Sequence, residues 1–282
     1  MSILNETYIL SNNIMIPKLG LGTWFIDDDK AAQAVRDAVE IGYRNIDTAQ
    51  AYGNERGVGE GIRTAGVARE VLFVSTKLAA EIKDYDAAVA AIEGSLAALD
   101  IGYIDLMLIH APQPWDDFRG GDYSEGNLAA WRALEEAHQV GKIRAIGVSN
   151  FLEPDLENIL DHGTVAPHVN QILVHAGNTP SGLIAYCEEK SILVQAYSPI
   201  AHGEILNNPT VQAIAAKYAV SVPQLCIRYT LQLGTVSLPK TTNPDHMRTN
   251  AEVDFEITTE DMETLRTLDE RDYGKHAAFP VY

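Results

Sequence analysis

Four residue types occur where they could act together: a carboxylate at Asp47, a phenol at Tyr52, an ammonium at Lys77 and an imidazole at His110. The set suits one task, giving a proton to a carbonyl oxygen. A phenol keeps its proton at neutral pH because its reference pKa is about 10, and it is a poor acid unless the phenolate is stabilised. Lys77 would supply that stabilisation by charge, Asp47 would keep Lys77 protonated and oriented, and His110 would donate a hydrogen bond to the same oxygen. General-acid help of this kind typically brings about 10²–10⁴ in rate, and oriented donors add an electrostatic contribution. The set lacks a good nucleophile for acyl transfer. With one histidine and one carboxylate it also makes a poor metal site, and no metal is expected.

For these groups to meet, the chain must bring them to one place. Each lies at or just beyond the end of an apolar run. Strand-like segments are Leu19–Trp24, Arg44–Thr48, Val71–Lys77, Ile104–His110, Ile143–Asn150, Val169–Val174, Ile192–Ser198 and Val236–Pro239. Helix-like segments separate them: Asp28–Ile41, Asn54–Ala65, one opened by an Asp84 cap, Ser124–Val140, Glu153–Leu160, Pro180–Lys190, and two opened by Asn208-Pro209 and Ser221-Val222. In Asp28–Ile41 the residues Ala31, Ala34, Val35, Ala38 and Val39 form one apolar face, and Gly42 ends the helix. A short hairpin is expected over residues 5–17, and further helices near 244–250 and 259–270.

Continuous apolar strands point to a parallel sheet buried on both faces. Eight strand–helix units in one chain favour a closed (β/α)₈ TIM barrel over an open doubly wound sheet, here with an N-terminal β-hairpin and extra C-terminal helices. Residues 1–282 are read as a single domain. A barrel carries its active site at the C-terminal ends of its strands. Those ends are Asp47, Lys77, His110, Ser149-Asn150, Tyr197-Ser198 and Lys240, with Gln171 inside the sixth strand.

Bulk properties narrow the function further. The formal net charge of −18 argues against nucleic-acid phosphates and anionic membranes as partners. No run of about 18 apolar residues is present. The N-terminus lacks a basic stretch followed by an apolar one, so a cytoplasmic protein is expected. Cys187 and Cys226 fall in expected helices without CxxC spacing and read as core thiols. Gly57-Val58-Gly59-Glu60-Gly61 is not a dinucleotide fingerprint, because it does not join a strand directly to a helix. His162 and His168, a loop pair with no acidic partner, are expected at the surface.

These residues resemble the aldo-keto reductase family. Asp47-Thr48-Ala49-Gln50-Ala51-Tyr52-Gly53-Asn54-Glu55, followed by Gly59, is similar to its signature D-T-A-x-x-Y-G-N-E-x-x-x-G. Lys77 in Val74-Ser75-Thr76-Lys77 and His110 at the end of Asp105–His110 fall where the family's lysine and histidine fall. Leu19–Trp24, Gly147–Phe151, Val169–Ile172, Ala196–Pro199 and Pro239–Thr241 also match, in order, from about residue 5 to 275. One short motif would be weak; several in register are specific.

The resemblance implies NADPH as cofactor and a small-molecule carbonyl as substrate. Tyr52 would be the general acid, with Asp47, Lys77 and His110 tuning it. Cofactor binding would fall to Thr23, Ser149, Asn150, Gln171, Tyr197, Ser198, Ile200, Lys240, Thr241, Arg248 and Asn250. Ser149, Asn150 and Gln171 would hold the carboxamide, and Tyr197 would stack on the ring. Substrate contacts would come from Trp24, Tyr52, His110 and Trp115. Bacterial members reduce methylglyoxal, small aldehydes or keto-sugars such as 2,5-diketogluconate, and a monomer is the family's usual state. The alternative is a cofactor-binding regulatory or redox-sensing module with little turnover, which would not need all four residues.

Three features depart from the family pattern. The Trp that many relatives carry after the histidine is Ala111 here, followed by Pro112, so a large pocket wall is missing and a wider substrate end is expected, with Trp115 or Trp24 replacing the wall in part. The arginine that usually grips the 2′-phosphate is His246, with an arginine two places later at Arg248. A neutral imidazole does not replace a guanidinium fork, so measurable use of NADH is expected. The segment between His110 and Ser124 and the tail after Asp269 are short, which implies an open pocket and broad specificity.

Overall fold

The computed structural model describes residues 2–273. Eight parallel strands form one sheet: β3 (Leu21–Gly22), β4 (Asn45–Asp47), β5 (Phe73–Leu78), β6 (Ile104–Ile109), β7 (Ile143–Ser149), β8 (Val169–Leu173), β9 (Leu193–Tyr197) and β10 (Val236–Leu238). They are hydrogen-bonded in sequence order. The sheet closes on itself, because Gly20 and Gly22 donate backbone N–H groups to Ser237 and Pro239, each at 3.0 Å. A preceding hairpin pairs β1 (Thr7–Ile9) with β2 (Met15–Pro17). Helices α1 (Asp28–Ile41), α2 (Glu55–Thr64), α3 (Tyr85–Leu99), α4 (Ser124–Gln139), α5 (Glu153–His162), α6 (Ser181–Glu189), α7 (Pro209–Lys217) and α8 (Val222–Gln232) follow the strands. Two more, α9 (Pro244–Asn250) and α10 (Thr259–Arg266), come after β10. The strand and helix order matches the sequence reading, with strands trimmed at their ends except that β5 runs one residue further, to Leu78.

Period-two alternation sorts the barrel's residues. Phe73, Leu106, Leu108, Ala145, Val169, Val236 and Leu238 form an interior cluster. Leu10 and Ile16 from the hairpin join the same cluster, so the hairpin plugs the N-terminal end of the barrel. Burying an aliphatic side chain contributes roughly 1.5–3 kcal/mol each. The parity that places these residues inward carries on to Asp47, Lys77, His110, Ser149, Gln171, Tyr197 and Lys240, which leaves the polar groups at the opposite, C-terminal mouth.

The glycines of α2 explain themselves by packing. A Cβ on Gly57 would lie 2.1 Å from the Asp28 carbonyl oxygen, and one on Gly59 would lie 2.0 Å from that of Leu99. A Cβ on Gly61 would sit 2.6 Å from Val35 Cβ. Gly57 and Gly61, four residues apart, thus face α1, while Gly59 faces the end of α3. The spacing serves close helix approach, which fixes the turn that follows Asp47. Cys187 and Cys226 lie buried in α6 and α8, as expected. His162 is exposed on α5, but His168 is buried, its Nδ1 2.9 Å from the Ile146 carbonyl. The expectation of a surface position therefore fails for His168, because β8 begins one residue later and draws it against β7.

Candidate active site

A cavity of about 460 Å³ opens at the C-terminal mouth, within the usual size range of small-molecule sites. Asp47 ends β4, and the 3₁₀ turn Gln50–Tyr52 carries Tyr52 back over it. The turn is held by Gln50, which donates to Ala91 O and Ser95 Oγ and accepts from the Ala79 N–H, each at 2.9 Å. Gly53 takes φ of 67° directly after Tyr52, a left-handed conformation that side-chain-bearing residues disfavour. Lys77 lies in β5 and His110 immediately follows β6.

The centre of the site is Lys77, which is fully buried. Its Nζ donates to Asp47 Oδ2 at 2.6 Å, to the Thr48 carbonyl at 2.8 Å and to Tyr52 Oη at 3.2 Å. Burial pulls the ammonium below its ordinary pKa, and the Asp47 carboxylate opposes that fall. The short bond to the carboxylate favours the charged form. His110 meets the Tyr52 ring edge-on, with centroids 5.7 Å apart. Burial, then the Lys77 charge, pushes the His110 imidazole well below its usual value. It is thus a neutral hydrogen-bonding group at neutral pH and not a proton source.

Tyr52 differs from the expectation in one respect. Lys77 does not make it acidic in this arrangement: burial, reinforced by the Asp47 carboxylate, raises the phenol well above 10. The phenol consequently stays protonated throughout the physiological range, with Lys77 at hand for the phenolate.

Gln171 crosses the barrel to Asp47. Its Nε2 donates to Asp47 Oδ1 at 2.8 Å and to Gln195 Oε1 at 3.0 Å, which uses both amide protons and leaves the carbonyl oxygen as its remaining hydrogen-bonding group. Ser149 Oγ donates to the Gln171 backbone carbonyl at 2.8 Å. Asn150 Nδ2 donates to the His110 carbonyl at 3.0 Å and to Ser149 Oγ at 3.1 Å. Tyr197 Oη donates to Asn150 Oδ1 at 2.8 Å, which orients its ring at the cavity wall. Ser198, Ile200 and Lys240 also line the cavity, as do Trp24 and Trp115.

Four expected cofactor residues lie outside the cavity lining. Thr23 is buried and donates from Oγ1 to the Asp47 carbonyl at 3.0 Å, bracing the strand end. Thr241 and Asn250 flank or lie in α9 beyond the rim. Arg248 pairs with Asp245 one turn earlier, Nη1 to Oδ1 at 2.9 Å. Residues two apart on a helix point about 200° away from each other, so Arg248 faces away from the side that His246 presents. The tail after Asp269 is described only to Tyr273; residues 274–282 lie outside the described residues.

Sequence reasoning missed Gln195 and Asn54. Gln195 is fully buried in β9, two residues before Tyr197 and hence on the same inward face, a cue present in the strand's period. Asn54 donates from Nδ2 to the Thr23 and Ile26 carbonyls at 2.9 Å each and accepts from Thr48 Oγ1 at 2.6 Å, tying the β3 and β4 loops together.

Buried imidazoles also set a pH limit on the fold. His175 is fully buried; its Nδ1 must donate to the Ala176 carbonyl (2.9 Å), so its Nε2 accepts from the Tyr273 hydroxyl (2.8 Å). Burial holds its pKa at about 4. Below the unfolded value of about 6.5, the unfolded chain binds a proton that the folded one refuses, so stability falls as pH falls. His175 alone would cost roughly 3 kcal/mol by pH 4, and His110 and His168 act in the same direction. Urea midpoints should therefore drop between pH 6.5 and 4; a constant midpoint would mean that these rings are open to water.

The model of the Aldo/keto reductase family matches residues 18–270. A glyoxal reductase of Bacillus subtilis is 41% identical over 272 residues, covering 95% of this chain and 95% of the relative. A crystal structure of an aldo/keto reductase from Brucella melitensis superposes with a TM-score of 0.87 at 36% identity, covering 94% of this chain and 98% of that one. A Bombyx mori aldo-keto reductase in complex with NADP gives a TM-score of 0.85 at 36% identity, covering 94% and 93%.

Proposed function

The chain belongs to the aldo/keto reductase family, and on that premise we propose that it reduces small aldehydes and ketones to alcohols with NADPH, Tyr52 supplying the proton. The observation that carries this reading is the position of Lys77 Nζ, within hydrogen-bond reach of both Asp47 and Tyr52 at the cavity edge. One barrel carries the whole activity. The residues present suit a nicotinamide dinucleotide: Gln171 keeps an amide oxygen for a carboxamide N–H, Tyr197 offers an oriented aromatic face, and Lys240 places a cation at the rim. When bound, the cofactor supplies hydride to the carbonyl carbon.

The protein's own groups do the rest. His110 orients the carbonyl oxygen by a neutral hydrogen bond. Tyr52 gives that oxygen its proton as negative charge develops there, and Lys77 stabilises the resulting phenolate. Asp47 keeps Lys77 charged, and Gln171 keeps Asp47 in place. Solvent returns a proton to Tyr52 after product leaves. The aromatic wall of Trp24, Phe25 and Trp115 suits compact carbonyls with an apolar or planar face, 2-oxoaldehydes among them.

The test is NADPH oxidation with glyoxal, methylglyoxal and glyceraldehyde. Oxidation matched by alcohol formation supports the reading; tight NADPH binding with none of the three reduced favours a binding module. Cofactor preference gives a second expectation. With His246 at the family's arginine position, His246→Arg raises the NADPH-over-NADH ratio of kcat/KM by about ten- to a hundredfold, the scale of hydrogen bonds to a charged group. An unchanged ratio would place the 2′-phosphate elsewhere.

A further inference from the structure

In the loop after His110, where Ala111 and Pro112 come first, Trp115 lines the cavity. Its ring meets His110 edge-on, with centroids 5.4 Å apart at 85°. Polar side chains outside the cavity hold this loop. Lys83, between β5 and α3, donates from Nζ to the Ala111 carbonyl and to Asn127 Oδ1, both at 2.8 Å. Asn127, buried in the first turn of α4, donates from Nδ2 to the Pro112 carbonyl at 2.9 Å. One two-residue clamp thus ties the carbonyls of both residues that follow His110. The seat is shaped for it: a Cβ on Gly126 would lie 2.7 Å from Lys83 Cβ and 2.9 Å from the Lys83 carbonyl oxygen. At the far side of the loop, Arg119 donates to the Asn150 carbonyl at 2.9 Å and pairs with Asp155 at 2.7 Å.

We propose that Lys83 and Asn127 are positioning residues that set substrate specificity, because by clamping Ala111 and Pro112 they hold Trp115 against His110 as the wall for an aromatic or other bulky apolar substituent. Neither clamp residue lines the cavity, and the clamp's hydrogen bonds go to the Ala111 and Pro112 carbonyls and between Lys83 and Asn127. It also explains a half-buried lysine with no ion pair among the described residues. Burial pulls Lys83 down to about 7, against the opposing fields of Glu81 and Asp155. A neutral amine still has two N–H donors, as many as the clamp uses, so the tie does not depend on the charge.

The inference rests on the reductase reading, and its test separates the two. Steady-state kinetics compare glyoxal with phenylglyoxal, which has the same reacting group and an added ring. Lys83→Met and Asn127→Ala each raise KM for phenylglyoxal about tenfold, the scale of losing hydrogen bonds to a charged or buried group. Both leave kcat, and KM for glyoxal, within about twofold. Lys83→Met added to Trp115→Ala costs no more than Trp115→Ala alone, since both act on one wall. A phenylglyoxal-to-glyoxal KM ratio unchanged in both clamp variants overturns the inference, as does full additivity with Trp115→Ala. Should Lys83→Met not fold, Asn127→Ala carries the same prediction. If wild type reduces neither of these two nor methylglyoxal nor glyceraldehyde, the reductase reading falls and the clamp is read from acrylamide quenching of Trp115, taken as the difference from Trp115→Phe. Lys83→Met or Asn127→Ala then raises that quenching if the clamp holds, and leaves it unchanged if it does not.

Discussion

Tyr52→Phe lowers kcat for aldehyde reduction by about 10²–10⁴, the range lost with a general acid, while Kd for NADPH stays within about twofold. The substitution keeps the ring that meets His110 and removes only the hydroxyl. Among the described residues its hydroxyl has one protein hydrogen bond, the long one from Lys77 at 3.2 Å, so stability changes by no more than about 1 kcal/mol. No neighbour takes over the proton: burial keeps His110 neutral, and Lys77 is engaged by Asp47 and the Thr48 carbonyl. Single-turnover rates with bound NADPH measure the effect directly, and a rate within threefold of wild type would remove Tyr52 from the chemistry.

Lys77→Met acts on both activity and fold. It deletes one partner of an ion pair whose members are 0% and 5% exposed at their side chains. Asp47 is left buried with the Gln171 amide as its remaining side-chain donor. Breaking a buried pair from one side costs roughly 3–5 kcal/mol, because the other charge is stranded. Activity falls by at least about 10², the scale of losing an oriented electrostatic stabiliser. The double variant Asp47→Asn/Lys77→Met recovers most of the stability, since no charge remains to be solvated, but none of the activity. Urea midpoints and kcat on the three proteins check this. A loss below 1 kcal/mol in the single variant would mean that water reaches the pair.

The positions of Asp47, Lys77, His110 and Tyr197 were legible in the sequence because two simple regularities locate them. Strands alternate faces, and barrels gather function at strand C-termini. What the sequence could not display were contacts made across the chain. Lys83 is 44 residues from Asn127, and nothing in either local segment marks them as partners. The inward face of Gln195 was readable from Tyr197, but its bond to Gln171 depends on the register between β8 and β9. Arg248 looked like a substitute for His246 in a linear motif, and only helix rotation and its pairing with Asp245 separate the two. His168 read as a loop residue because its burial is set by where β8 starts beside β7.

The most direct test of hydride transfer with Tyr52-assisted protonation uses NADPH carrying deuterium on the reactive face of C4, with glyoxal or methylglyoxal as substrate. The account predicts one deuterium in the new carbinol C–H bond per NADPH consumed, with the hydroxyl proton drawn from water through Tyr52. Alcohol formed without that deuterium, or NADPH bound with no consumption across the aldehydes tested, would contradict it.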